Sequence, residues 1–131
     1  MKKYIVGLVG VLVALTLGTS LQAQHEHWSY LGDAHVNGSV DHDRIKVGHS
    51  DGKFRAIQLR VSVGEVEFDR VLVHFGNGTQ EELPVRYRIP AGGSTRAIDL
   101  PGDRRVIESV ELWYHRDKWE HMPRVALYGL R

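Results

Sequence analysis

Seven side chains between positions 33 and 51 could ligate a cation: Asp33, His35, Asp41, His42, Asp43, His49 and Asp51. Imidazoles with carboxylates suit zinc or copper, and carboxylates with loop carbonyls suit calcium. The candidate divalent-metal ligands are Asp41, His42, Asp43, His49 and Asp51. Neighbouring side chains diverge in an extended chain, so Asp41-His42-Asp43 converges only if it forms a loop. The spacing matches neither the helical HExxH motif nor the calcium loop with its invariant Gly and terminal Glu. The alternative is a polar hairpin whose Asp and Gly residues make turns, with no cofactor bound. His25 and His27 would chelate copper only if processing freed an amine beside them, and otherwise belong to a loose terminus.

A second set suits a sugar. If Val110, Leu112 and Tyr114 face a core, Trp113 and His115 face away from it. By the same alternation Gln58, Arg60, Arg86 and Arg88 point outward. A flat ring beside guanidinium and amide donors gives a sugar an apolar face to stack on and partners for its hydroxyls. Trp113, Arg86, Arg88, Arg60, Gln58 and His115 are therefore the candidate ligand-binding residues. The bland alternative covers Trp113 with the 118–123 loop and pairs Arg86 and Arg88 with acids on a neighbouring strand.

Catalysis is not indicated. No serine sits in a Gly-x-Ser-x-Gly elbow, and Ser94, Asp99 and His115 form a triad on paper only. Glu108 and Glu111 fall on opposite phases of a strand, which does not favour a carboxylate pair. Gly92-Gly93-Ser94 is too short for a phosphate loop and precedes a strand, not a helix.

These residues must be positioned by strands. Ile57, Leu59, Val61 and Val63 alternate with Gln58, Arg60 and Ser62, and Val71, Val73 and Phe75 alternate with Leu72 and His74. Val66 and Phe68 lie on an earlier phase, so a bulge is expected at Asp69 or Arg70. Leu83, Val85, Tyr87 and Ile89 read as one strand that begins at Pro84 or lies on an edge, because proline cannot donate to a ladder. Ile98–Leu100, Val110–Tyr114 and Val125–Leu130 follow, with weaker candidates at Trp28–Leu31 and Arg44–Val47. Gly76-Asn77-Gly78, Ala91-Gly92-Gly93 and Pro101-Gly102-Asp103 supply turns. Asn37-Gly38-Ser39 and Asn77-Gly78-Thr79 match a glycosylation sequon but read as turns. Within Thr95–Leu100, Arg96 and Asp99 could clamp the sheet as an ion pair. Seven or eight short strands and no stretch suited to a crossover helix predict a single antiparallel, jelly-roll-like β-sandwich. Its predicted core includes Leu59, Val61, Val73, Val85, Leu112 and Leu127.

The 131 residues support one domain, and 42% hydrophobic with 25% charged content is that of a folded protein. The absence of cysteine excludes disulfides, thiolate metal sites and a thiol nucleophile. Lys2 and Lys3, the apolar run Tyr4–Leu17 and the small residues up to Ala23 follow the order of a secretory signal peptide. That run is about 14 residues, short of the roughly 20 that span a bilayer. Cleavage after Ala23 leaves residues 24–131, periplasmic or secreted, with 15 basic and 16 acidic residues. This balance lacks the basic footprint of a nucleic-acid binder. After cleavage no membrane span is expected.

Phe54-Arg55-Ala56-Ile57-Gln58-Leu59-Arg60-Val61 resembles the start of a bacterial family of small exported domains of unknown function. Val73-His74-Phe75-Gly76-Asn77-Gly78, Ser94–Gly102, Arg105–Val110, Trp113-Tyr114 and Leu127-Tyr128-Gly129 follow in the same order. The resemblance implies export and this fold, and brings no activity. More loosely the order is similar to galactose-binding-like jelly rolls, which are often carbohydrate-binding modules, although a fold does not fix a function. The sequence thus reads as an exported, non-catalytic sandwich whose partner is a glycan or other envelope component. The alternatives are an envelope structural or protein-interaction domain, or a metal protein or enzyme built on residues 33–51.

Overall fold

The computed structural model describes residues 27–37, 42–85, 88–115 and 121–131. Among these residues ten strands form: β1 (Trp28–His35), β2 (His42–Lys46), β3 (Lys53–Phe54), β4 (Ala56–Ser62), β5 (Val66–Phe75), β6 (Gln80–Leu83), β7 (Arg88–Ile89), β8 (Ile98–Asp99), β9 (Arg105–Tyr114) and β10 (Arg124–Leu130). A 3-10 turn, His49–Asp51, lies between β2 and β3. The first sheet runs β1-β10-β4-β8. The second runs β2-β9-β5-β6, with β3 added on β9 and β7 on β5. Every pairing is antiparallel. The protein is an all-β sandwich, as the alternation predicts.

The two sheets close over one core because each strand buries alternate residues. Leu59, Val73, Val85, Leu112 and Leu127 are fully buried and Val61 nearly so. Phe54, Ile57, Phe68 and Tyr114 fill the centre, with the Phe68 and Tyr114 rings 5.8 Å apart. Gly129 faces inward too, and a Cβ there would lie 2.6 Å from Phe54. The missing side chain is what lets the Phe54 ring lie against β10.

The bulge expected near Asp69 is present. Phe68 pairs with Tyr114 and Arg70 with Trp113, leaving Asp69 as the extra residue. The strand predicted across Leu83–Ile89 is instead two pieces on one edge. β6 pairs with Val71–His74 and β7 with Val66–Glu67 of the same strand β5. Pro84 has no N–H to continue the ladder, and the Val85 N–H donates back to the Leu83 carbonyl at 2.8 Å. The turn glycines Gly78, Gly92 and Gly102 carry φ of 88°, 84° and 85° in the three expected places. Asn77 Oδ1 accepts from the Thr79 N–H at 3.1 Å and from its hydroxyl at 2.6 Å, so that sequon is a turn.

No ion pair joins Arg96 to Asp99 among the described residues. Thr95 holds that segment instead: its buried hydroxyl accepts from the Leu59 N–H at 3.1 Å and donates to the Arg96 carbonyl at 2.8 Å. No helix among the described residues is long and apolar enough to cross a membrane. Met1–Ala23, Asp41, Arg86 and residues 116–120 lie outside the described residues.

Candidate functional site

The outward residues expected to share one surface are divided between the two sheets. Gln58 and Arg60 stand on β4, on the outer face of the first sheet, whereas Trp113, His115 and Arg88 stand on the second sheet. The separation follows from chain order: β4 pairs with β10, and β5 and β9 pair with each other in the opposite layer.

On the first sheet, register sets Tyr30 beside Tyr128 and Tyr128 beside Gln58, a row crossing three strands. Tyr30 is 53% exposed on the edge strand, and its ring meets Tyr128 edge-on at 5.7 Å. The Arg60 guanidinium lies 3.7 Å from the centre of the Tyr128 ring, and its Nε donates to Gln58 Oε1 at 2.9 Å. Gln58 Nε2 donates in turn to the Thr95 carbonyl at 2.9 Å, which fixes the amide. Arg124 donates to Asp33 Oδ2 through Nε and Nη2, both at 2.7 Å. The Tyr30 hydroxyl holds the Asp33 carboxyl below the ordinary carboxylate range, with burial opposing it and Arg124 adding to it. Sequence reasoning found Gln58 and Arg60 but not their aromatic neighbours. Tyr128 was legible, since Val125 and Leu127 inward place it outward, while Tyr30 depends on which strand β1 joins.

On the second sheet Trp113 is flanked rather than open. His42 and Arg70 are its direct neighbours on β2 and β5. The His42 ring stacks on it at 4.6 Å, and the Arg70 guanidinium lies 4.9 Å from its centre. Arg70 is held by Glu82 at 2.7 Å. His115 and Arg88 belong to the same end of this face, but Arg88 is bridged to Glu65 at 3.2 Å and Glu67 at 3.1 Å.

Two residues nearer the middle of β9 is a carboxylate that the alternation assigned to solvent. Glu111 is only 7% exposed. Its Oε2 pairs with His42 Nε2 at 2.7 Å, and its Oε1 with Arg44 Nη2 at 2.9 Å and with His74 Nε2. Burial pushes its pKa up, but hydrogen bonds from His74 and His42 and the charge of Arg44 together outweigh it and hold the carboxyl below the usual range. His42 and Arg44 share β2, but His74 lies on β5 and Glu111 on β9, so no local spacing could announce the cluster as a whole.

The described metal candidates, His42, Asp43, His49 and Asp51, do not converge on one point. His42 turns outward to Glu111, whereas Asp43 turns inward toward the Tyr114 hydroxyl without reaching hydrogen-bond geometry. Burial raises the Asp43 carboxyl above its usual range, and burial with Asp43 nearby raises the Tyr114 hydroxyl. His49 lines a cleft with Gly76 and Val106, while His42 pairs with Trp113. Seven residues of extended β9 separate those contacts, about 23 Å at 3.3 Å per residue. Asp51 accepts from the Gly48 N–H at 3.0 Å and caps its own turn. Among the described residues no three His, Asp or Glu side chains are placed to hold a metal ion.

Fold and surface together define a small antiparallel β-sandwich with an aromatic–arginine face on one sheet and a carboxylate-centred polar face on the other. The chain belongs to the family described as a domain of unknown function, DUF2541, whose sequence model matches residues 10–129. Among solved structures it is similar to Pseudomonas aeruginosa AlgX, with a TM-score of 0.53, 12% identity and 80% of this chain covered. The likeness shows the fold alone, and this chain spans 26% of that one. No curated protein matches the sequence.

Proposed function

We propose that this protein is an exported, non-catalytic sandwich that binds a glycan on the outer face of its first sheet. The observation that carries the reading is the row Tyr30–Tyr128–Gln58, with the most exposed ring at the sheet edge and Arg60 and Arg124 beside it. Tyr30 offers an apolar ring face for a sugar's C–H surface, and its neighbours hold donors already oriented. Gln58 uses one amide hydrogen and one lone pair internally, which leaves it a further donor and acceptor for hydroxyls. Asp33, held by Arg124, adds an acceptor. Trp113, the sequence's first candidate for stacking, is a weaker platform because His42 and Arg70 flank its ring. Export rests on the order of residues in Met1–Ala23, and it would bring the domain to the envelope, where such ligands occur.

A glycan array probed with the purified protein tests the reading. Retention should fall at least tenfold in Tyr30→Ala and in Arg60→Ala, with melting temperatures close to wild type, and should persist in Trp113→Ala. Absence of retention by the wild type, or loss only in Trp113→Ala, overturns it. A stoichiometric protein captured from an envelope extract, with no glycan retained, would favour the interaction-domain alternative.

A further inference from the structure

At the end of the second sheet remote from Trp113, three separate segments enclose a cleft of about 310 Å³. The 3-10 turn contributes His49, the β5–β6 turn contributes Gly76 and Asn77, and the start of β9 contributes Arg104 and Arg105. Phe75 and Val106 complete the lining, which contains no carboxylate. The nearest acids in sequence, Asp51 and Asp103, do not line it, and Asp51 is spent on the Gly48 N–H.

The two arginines differ from most others on this sheet. Arg44, Arg70 and Arg88 each pair with a glutamate. Arg104 and Arg105 have no ion-pair partner among the described residues. Arg105 is nonetheless fixed. Its Nη1 donates to the Pro101 carbonyl at 2.9 Å, its Nη2 to Thr79 Oγ1 at 3.1 Å, and its guanidinium lies 3.8 Å from the centre of the Phe75 ring. Neutral oxygens and an aromatic face thus hold a cation in place without neutralising it. Gly76 keeps the cleft open, since a Cβ there would come within 2.9 Å of Val106 Cγ1 and 3.2 Å of His49 Cε1.

We propose that this cleft binds an oxyanion, a phosphate or carboxylate group, between Arg104 and Arg105 with His49 as a further donor. Guanidinium forks match the planar edge of either group, and their attraction is strongest where no protein acid competes. A fixed Arg105 loses little side-chain entropy on binding, whereas Arg104 supplies the adaptable contact. The site is independent of the glycan reading, because Tyr30 and Arg60 lie on the other sheet.

Thermal shift and calorimetry of the full chain, at constant ionic strength with chloride as reference, decide the matter. Inorganic phosphate, acetate or both should raise the melting temperature above the chloride value, and the responding anion identifies the class. Arg104→Gln should melt like wild type in chloride and weaken the anion at least tenfold. His49→Gln should weaken it about threefold. Gly76→Ala gives a second route, narrowing the cleft without removing charge, and should weaken binding likewise. Arg105 holds a turn together and is left unaltered. Tyr30→Ala should not change the anion effect. No stabilisation beyond chloride, or full stabilisation retained in Arg104→Gln, overturns the proposal.

Discussion

His42 Nε2 lies 2.7 Å from Glu111 Oε2 across the β2–β9 boundary, while the same imidazole stacks on Trp113. One side chain thus fastens the edge strand β2 both to a buried carboxylate and to the neighbouring indole. On the other side of β9, His74 reaches the second carboxylate oxygen from β5. Glu111 is the point at which three strands of the second sheet are tied together.

Acid should therefore loosen this sheet. The Glu111 carboxyl titrates lower folded than unfolded, so its contribution is complete above the ordinary carboxylate range and is lost as pH falls through the folded value. Glu111→Gln should flatten the part of the stability–pH curve due to this group and cost about 1–3 kcal/mol at neutral pH. Urea melts of both proteins at closely spaced pH values check this. Parallel curves for the two would show that Glu111 carries none of the acid dependence.

The two faces of β4 give a sharper contrast. Leu59 is fully buried, so Leu59→Ala should cost roughly 2–5 kcal/mol through lost transfer energy and a cavity. Arg60, the next residue, lies on the outer surface over Tyr128, and Arg60→Ala should change stability by less than about 1 kcal/mol. Denaturant midpoints of the pair provide the comparison, and an inverted order would mean that the strand faces the other way.

Gly129→Ala should be severe for a one-carbon change. The new Cβ would stand 2.6 Å from the buried Phe54 ring and 2.8 Å from Leu31. Overpacking of this kind costs about 1–3 kcal/mol. Gly129→Ala with Phe54→Leu should recover part of the loss, as a double-mutant cycle by thermal melting would reveal.

Val63 tests backbone strain. It is β-branched, 61% exposed and held at φ 74° in the turn between β4 and β5. That conformation crowds a Cβ, and relief by Val63→Gly should stabilise the protein by about 1 kcal/mol, less the entropy glycine adds to the unfolded chain. A melting temperature below that of wild type would show that the valine is held there by contacts worth more than the strain.

What the sequence by itself determined is whatever alternates along a single strand. Leu59 inward and Arg60 outward, the extra residue near Asp69, the edge position of the segment around Pro84 and the glycine turns follow from side-chain period and local backbone chemistry. They need no partner strand to be known. Tertiary structure decided which outward residues are neighbours, because β10 pairs with β1 and β4, and β9 with β2 and β5, across long stretches of chain. Strand order therefore set Gln58 beside Tyr128 and not beside Trp113, and turned Glu111 from a solvent-facing acid into the anchor of His42, Arg44 and His74. It also gathered His49, Gly76 and Arg105 into one cleft, although nothing in their spacing relates them. Side-chain period acts within a strand, whereas adjacency between strands is fixed only when the two sheets close on a common core.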